Sequence, residues 1–128
     1  MQLFWIALGS AIGGVLRYAL DQLAILAGAG VFPLSTFIIN VSGSLLVGYL
    51  AGLWANGGAA APHPYKWHFW MTGICGGFTT FSAFSWQILE LIQGGQAQLA
   101  GIYAAGSIGL GLIAVSLGMV WSRAKMQI

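Results

Sequence analysis

Four runs of about twenty mostly apolar residues leave this chain few folds to choose from. They cover roughly Leu3 to Ala29, Phe32 to Leu53, Trp67 to Ile92 and Leu99 to Trp121. A helix of about 20 such residues crosses the hydrocarbon of a bilayer. The rest of the chain adds almost no soluble mass: 59% of the 128 residues are hydrophobic and only 5% are charged. A soluble domain carries about 25% charged residues to solvate its surface. The pattern predicts an all-α membrane protein, with residues 1–128 forming one domain of four transmembrane helices. Pro33 opens the second run. Gly57-Gly58, Pro62 and Pro64 mark a polar loop from Ala55 to Lys66, and Gly94-Gly95-Gln96 a turn before the last run. Met1-Gln2-Leu3-Phe4-Trp5 lacks the basic start of a cleaved signal peptide and reads as the beginning of the first span.

The third run contains material that a continuous span avoids. Gly76 to Ser85 reads GGFTTFSAFS. Paired glycines and Thr-Thr are poor helix formers, and hydrocarbon offers nothing to pair with a freed backbone group. The sequence predicts a third helix broken at its centre, as either a local defect or a break that lines a site. If the chain is helical again from Phe81, then Phe81 and Phe84 share a face next to the hydroxyls of Ser82 and Ser85. Phenyl edges carry partial positive charge and can face an anion. A half-helix N-terminus also favours anions, and unwound carbonyls favour small cations.

Glycine is abundant, with 20 residues. Gly9 and Gly13, Gly48 and Gly52, and Gly73 and Gly77 form small-xxx-small pairs that let helices approach closely in lipid. Four thin spans leave little room for a private pore, so a dimer is expected to supply the missing walls.

The polar residues inside the runs are few. Arg17 lies deep in the first run, where a charge is costly and is either paired or functional. It reads as a partner of Asp21 one turn on, as a snorkelling side chain, or as a positive charge that draws an anion into a vestibule. Asn40 sits mid-run in the second segment; it is either an interhelical hydrogen bond or an N–H donor facing a pore. Asn40-Val41-Ser42 has the form of a glycosylation sequon, but a membrane-buried site is no acceptor. In the fourth run Tyr103 and Ser107 share a face that Gly111 and Val115 continue. The two hydroxyls suit either an anion or a neighbouring helix.

What is missing narrows the function. The only carboxylates are Asp21 and Glu90, both toward run ends. Proton-coupled transporters and pumps need a titratable group near the midplane. No nucleophile–base pair, zinc-binding or phosphate-binding motif occurs, which argues against an enzyme. His63 and His68 lie five residues apart and, with Trp67, read as interface anchors. Cys75 is alone, which rules out an intramolecular disulfide. The net charge of +2 gives no field for nucleic acid. Lys66, Arg123 and Lys125 fall on the side of the termini, which the positive-inside rule assigns to the cytoplasm, while so few charges leave insertion in both orientations open.

These residues resemble the Fluc family of bacterial fluoride channels, also called CrcB proteins. The likeness covers all four runs. GSAIGGVLRY (Gly9–Tyr18) is similar to the family's glycine-rich run ending in Arg and an aromatic. STFIINVSGSLLVG (Ser35–Gly48) carries its asparagine at Asn40. TGICGGFTTFSAF (Thr72–Phe84) is close to its long and specific third-span motif. The fourth run matches more loosely, through Tyr103 and Ser107.

The resemblance implies an antiparallel, dual-topology homodimer in the bacterial inner membrane, with two pores that release cytoplasmic fluoride passively. It implies a structural Na⁺ at the dimer centre, held by carbonyls of Gly76 and Thr79. It implies that Asn40, Phe81, Phe84, Tyr103 and Ser107 line the fluoride path, with Thr80 and Ser82 close to it and Arg17 supporting a vestibule. The sequence departs from the family pattern at Ala83, where threonine is common. It departs again at Gly111 and Val115, where Ser or Thr would continue the fourth-span polar track. The three-to-zero charge asymmetry also runs against dual insertion. A competing architecture, the small multidrug exporter, needs a buried first-span glutamate where this chain has Arg17. A scaffold subunit would explain the glycines but not the aromatics aligned beside the break. The partners expected are therefore the bilayer, fluoride and a second copy of the chain.

Overall fold

The computed structural model describes residues 1–28, 30–55 and 63–126, all helix and short connections. Helix α1 spans Gln2–Leu26 and α2 spans Leu34–Ala55. Helix α3 covers residues 64–78 in three joined parts: Pro64–Trp67, a π-helical stretch His68–Cys75, and Gly76–Phe78. Helix α4 is Phe81–Gln93 and α5 is Ala97–Met126. Three single helices are long and apolar enough to cross a membrane: Gln2–Leu26, Leu34–Trp54 and Ala97–Lys125. The third apolar run is shared between α3 and α4 and does not form one such helix. Most of the predicted loop Ala55–Lys66 lies outside the described residues.

The helix limits follow local chemistry. Pro64 begins α3 at its first turn, where the missing N–H costs nothing. Gly28, with φ 74°, and Gly95, with φ 76°, follow α1 and α4. That conformation is open to glycine and strained for other residues. The π-helical stretch has no sequence signal that we can identify.

Two helix pairs are drawn together at glycines. On the α1–α3 side, a Cβ on Gly9 would run into the Phe69 carbonyl, on Gly13 into the Ile74 carbonyl, and on Gly77 into the Ser10 backbone. On the α2–α5 side, a Cβ on Gly48 would strike the Val115 carbonyl and one on Gly118 the Leu45 carbonyl. Gly52 faces Ser122. All three small-xxx-small pairs thus lie at contacts between helices, where backbone touches backbone or a short hydroxyl.

Helices α2 and α5 run parallel. Phe37 lies beside Gly106, Ser44 beside Gly111, Gly48 beside Val115 and Tyr49 beside Gly118, so positions advance together along both helices. Aromatic rings tie the ends nearest the N-terminus: Trp5 to Tyr65 at 5.5 Å, Trp54 to Trp67 at 5.2 Å and Tyr49 to Trp121 at 5.3 Å. Such rings suit a membrane–water boundary. Large apolar side chains face outward from the bundle, among them Ile12, Val15 and Leu16 of α1 and Leu112, Ile113 and Leu117 of α5. This surface matches hydrocarbon rather than water.

Candidate functional site

Between α3 and α4 two residues leave the helix. Thr79 has φ −79° and ψ 157°, and Thr80 has φ −149° and ψ 121°, both extended. The Thr79 N–H still reaches the Cys75 carbonyl at 3.0 Å, and its hydroxyl donates to the same oxygen at 2.8 Å. From Thr80 onward the helical ladder is interrupted.

Asn40 of α2 closes the gap. Its Nδ2 donates to the Thr80 carbonyl at 3.0 Å, and the Thr80 N–H donates to Asn40 Oδ1 at 2.9 Å. The side-chain amide thus gives the Thr80 N–H the acceptor that the break removes and adds a second donor to the Thr80 carbonyl, which also opens the α4 ladder. Both readings of Asn40 from sequence remain open, because a primary amide carries two N–H groups and only one is committed to Thr80. Thr80 also caps α4: its Oγ1 accepts from the Ala83 N–H at 3.2 Å and shares a hydrogen bond with Ser82 Oγ at 3.2 Å. A threonine at this position is a good N-cap.

The end of α3 frees its last carbonyls, those of Gly76 and Thr79 among them. The Thr80 N–H goes to Asn40 and the Ala83 N–H to Thr80 Oγ1, so the oxygens of Gly76 and Thr79 do not receive the donors of a continuous helix. Around Gly76 the surface is open, with nothing within 4 Å of where a Cβ would stand. Neutral carbonyl oxygens on unwound backbone suit a small hard cation such as Na⁺.

On the α2 side the break opens into a cleft of about 290 Å³, lined by Asn40, Ser44, Val47, Thr79, Thr80, Phe81 and Val115. No carboxylate lines it. Phe81 stands 78% exposed beside it, while Phe84, one turn on, is only 8% exposed. Their ring centroids are 5.9 Å apart. Phe84 continues to the Tyr103 ring at 5.2 Å, and Tyr103 meets Phe32 edge-on at 5.4 Å.

Tyr103 is fully enclosed. Its hydroxyl donates to Gln87 Oε1 at 2.9 Å, and Gln87 Nε2 donates to Thr36 Oγ1 at 2.9 Å. This chain joins α5, α4 and α2, and it commits the Tyr103 proton to a protein acceptor. Ser107, one turn along α5, differs: its buried Oγ has no hydrogen-bond partner. A buried hydroxyl without a partner costs about 1–3 kcal/mol, which favours a ligand or water there. Arg17 is half-buried on α1 and makes no ion pair with Asp21.

The structure therefore gathers Asn40, Thr79, Thr80 and Phe81 at one cleft and links Phe84 and Tyr103 to it through tilted ring contacts. Gln87, Thr36 and Ser44 are polar members of this region that sequence reasoning did not single out. A spacing signal existed for each of them. Thr36, Asn40 and Ser44 are spaced by four and fall on one face of α2. Gln87 lies three residues beyond Phe84, again on one helical face.

Comparison with known proteins places this arrangement. A family model described as CrcB-like protein, Camphor Resistance (CrcB), matches residues 4–119. A protein of Paramagnetospirillum magneticum named fluoride-specific ion channel FluC is 51% identical over 116 residues, covering 90% of each chain. Proteins of the same name from Methylocella silvestris and Flavobacterium psychrophilum are 42% and 40% identical. The first match covers 99% of this chain and 97% of the relative, the second 94% and 96%. These relatives are named as channels, not enzymes. With a family model matched over residues 4–119, and relatives named as ion channels aligned over almost their whole length, the chain belongs to the CrcB-like family.

Proposed function

We propose that this protein is a fluoride-selective channel through which cytoplasmic fluoride leaves the cell down its own gradient. The observation that carries the reading is the opened backbone at Thr79–Thr80, pinned by Asn40 beside phenyl rings and hydroxyls, in a cleft with no carboxylate. The relatives' names supply the ion.

Fluoride is small and strongly hydrated, so it passes only where donors replace its water. Each site must also be weak enough to release it. The second Asn40 N–H and the unpartnered Ser107 hydroxyl are such donors. The rings of Phe81 and Phe84 offer positive edges between them, with Thr80 and Ser82 adjoining. Tyr103, its proton held by Gln87, serves as wall and as support for Phe84. Arg17 adds positive charge at a distance, which raises local anion concentration without trapping the ion.

The chain functions as an antiparallel homodimer with two pores, its third span formed by α3 and α4 together. In support, Phe81 and the open surface at Gly76 lie uncovered on the single chain. A second copy crossing there brings the Gly76 and Thr79 carbonyls of both chains together. These carbonyls would hold Na⁺, whose positive charge would offset their partial negative charges and join the two breaks. The inner membrane of a bacterium is the setting this role requires.

Purified protein in fluoride-loaded liposomes tests the reading. Fluoride release into the bath, followed with a fluoride electrode, is expected from protein-containing vesicles. Release no faster than from empty vesicles would overturn it.

A further inference from the structure

Helices α2 and α5 present facing stripes, of which Asn40, Ser44 and Val115 line the cleft. On α2 the face carries Thr36, Asn40 and Ser44; on α5 it carries Tyr103, Ser107, Gly111 and Val115. The helices run parallel, and Ser44 stands level with Gly111: a Cβ on Gly111 would lie 3.6 Å from Ser44 Oγ. The α5 face therefore loses its hydroxyls at the level where α2 still has one.

Ser44 also behaves unlike nearby serines. Ser42 and Ser116, on outward faces of the same two helices, return their hydroxyls to carbonyls one turn back, at 2.7 Å to Ile38 and 2.9 Å to Leu112. That is the usual resting state of a serine in a membrane helix. Ser44 makes no hydrogen bond among the described residues, although it is half-buried. It lines the cleft with Asn40, Thr80 and Phe81, opposite Val115. A cleft of about 290 Å³ has room for an ion with several waters, at about 30 Å³ for each water.

We infer that Ser44 is a fluoride-binding residue of the path, one turn beyond Asn40, supplying from α2 the hydroxyl that α5 lacks at Gly111 and Val115. The assignment rests on the channel reading above. An anion leaving Asn40 accepts a hydrogen bond from Ser44 Oγ before it reaches water.

The test is fluoride efflux from liposomes with the full-length chain. Ser44→Ala is expected to lower throughput roughly tenfold, the scale of one hydrogen bond to a charged group. Adding Gly111→Ser to Ser44→Ala returns a hydroxyl to the same place from the other helix and is expected to restore most of the flux. Ser44→Cys keeps the volume and weakens the donor, so its throughput should fall between; it carries the test if Ser44→Ala aggregates. Size-exclusion profiles should match the unmodified protein. Native flux in Ser44→Ala, or a loss that Gly111→Ser fails to repair, overturns the assignment. If the unmodified protein itself releases no fluoride, the channel reading falls first and the assignment with it.

Discussion

Helices α3 and α4 continue one apolar run, yet they are held in opposite ways. Helix α3 lies against α1 backbone to backbone, through Gly9, Gly13, Gly73 and Gly77. Helix α4 is held by side chains: the Thr36–Gln87–Tyr103 hydrogen bonds and the Phe84–Tyr103 ring contact. The glycine contact has one solution, because backbone cannot move aside. The side-chain contact leaves polar groups and a cleft between helices. Position is set on one side of the break, and chemistry is offered on the other.

The comparison can be broken most severely at the glycines. Gly77→Leu sets a side chain against the Ser10 backbone, which has no rotamer to change. Overpacking costs about 1–3 kcal/mol or more where the neighbours cannot relax. The variant is expected to lose its monodisperse peak on size exclusion, and a native peak would show that α1 and α3 are free to separate.

Asn40→Ala comes next. It strips the acceptor from the Thr80 N–H and one of two donors from the Thr80 C=O, which keeps the first hydrogen bond of α4, at about 1–3 kcal/mol for the buried unsatisfied N–H. Lower thermal stability and near-complete loss of fluoride flux are expected together. Asn40→Asp keeps an acceptor for the Thr80 N–H but sets a negative charge in the cleft, so stability should fall less than flux.

The two phenylalanines should separate path from packing. Both Phe81→Ile and Phe84→Ile are expected to lower flux without dispersing the proposed dimer. Only Phe84 is enclosed against Tyr103, so only Phe84→Ile should also lower the melting temperature. Equal flux in both variants and the unmodified protein would remove the phenyl rings from the mechanism. The smallest effect is expected at Gly101, exposed on α5 with nothing within 4 Å of a Cβ. Gly101→Ala should leave flux unchanged and raise helix stability by about 0.5–1 kcal/mol.

Much of this architecture was legible in the residues themselves. The apolar runs mark the helices, and the glycine pairs fall at the helix contacts. The spacing of Phe81 and Phe84 puts them on one face. Other features depend on contacts that spacing cannot show. Asn40 and Thr80 are 40 residues apart, so nothing local says that this amide serves the break before it serves an ion. The different exposure of Phe81 and Phe84 depends on where Tyr103 lies. The α2 stripe was present at four-residue spacing, but serine and threonine in a membrane helix usually bond their own backbone. Only the neighbourhood of Ser44 sets it apart from Ser42. The third run marked a break near its centre but not the π-helical stretch His68–Cys75, which has no signal in its residues.

Passive conduction is the central claim, and vesicles with and without an imposed proton gradient test it most directly. A path of hydroxyls, an amide and phenyl edges, without a carboxylate at the cleft, has no group to couple a proton. Fluoride efflux at equal internal and external pH should match efflux under a gradient once the electrical driving force is clamped. Efflux that requires the gradient, or that stops when it is collapsed, would contradict the account.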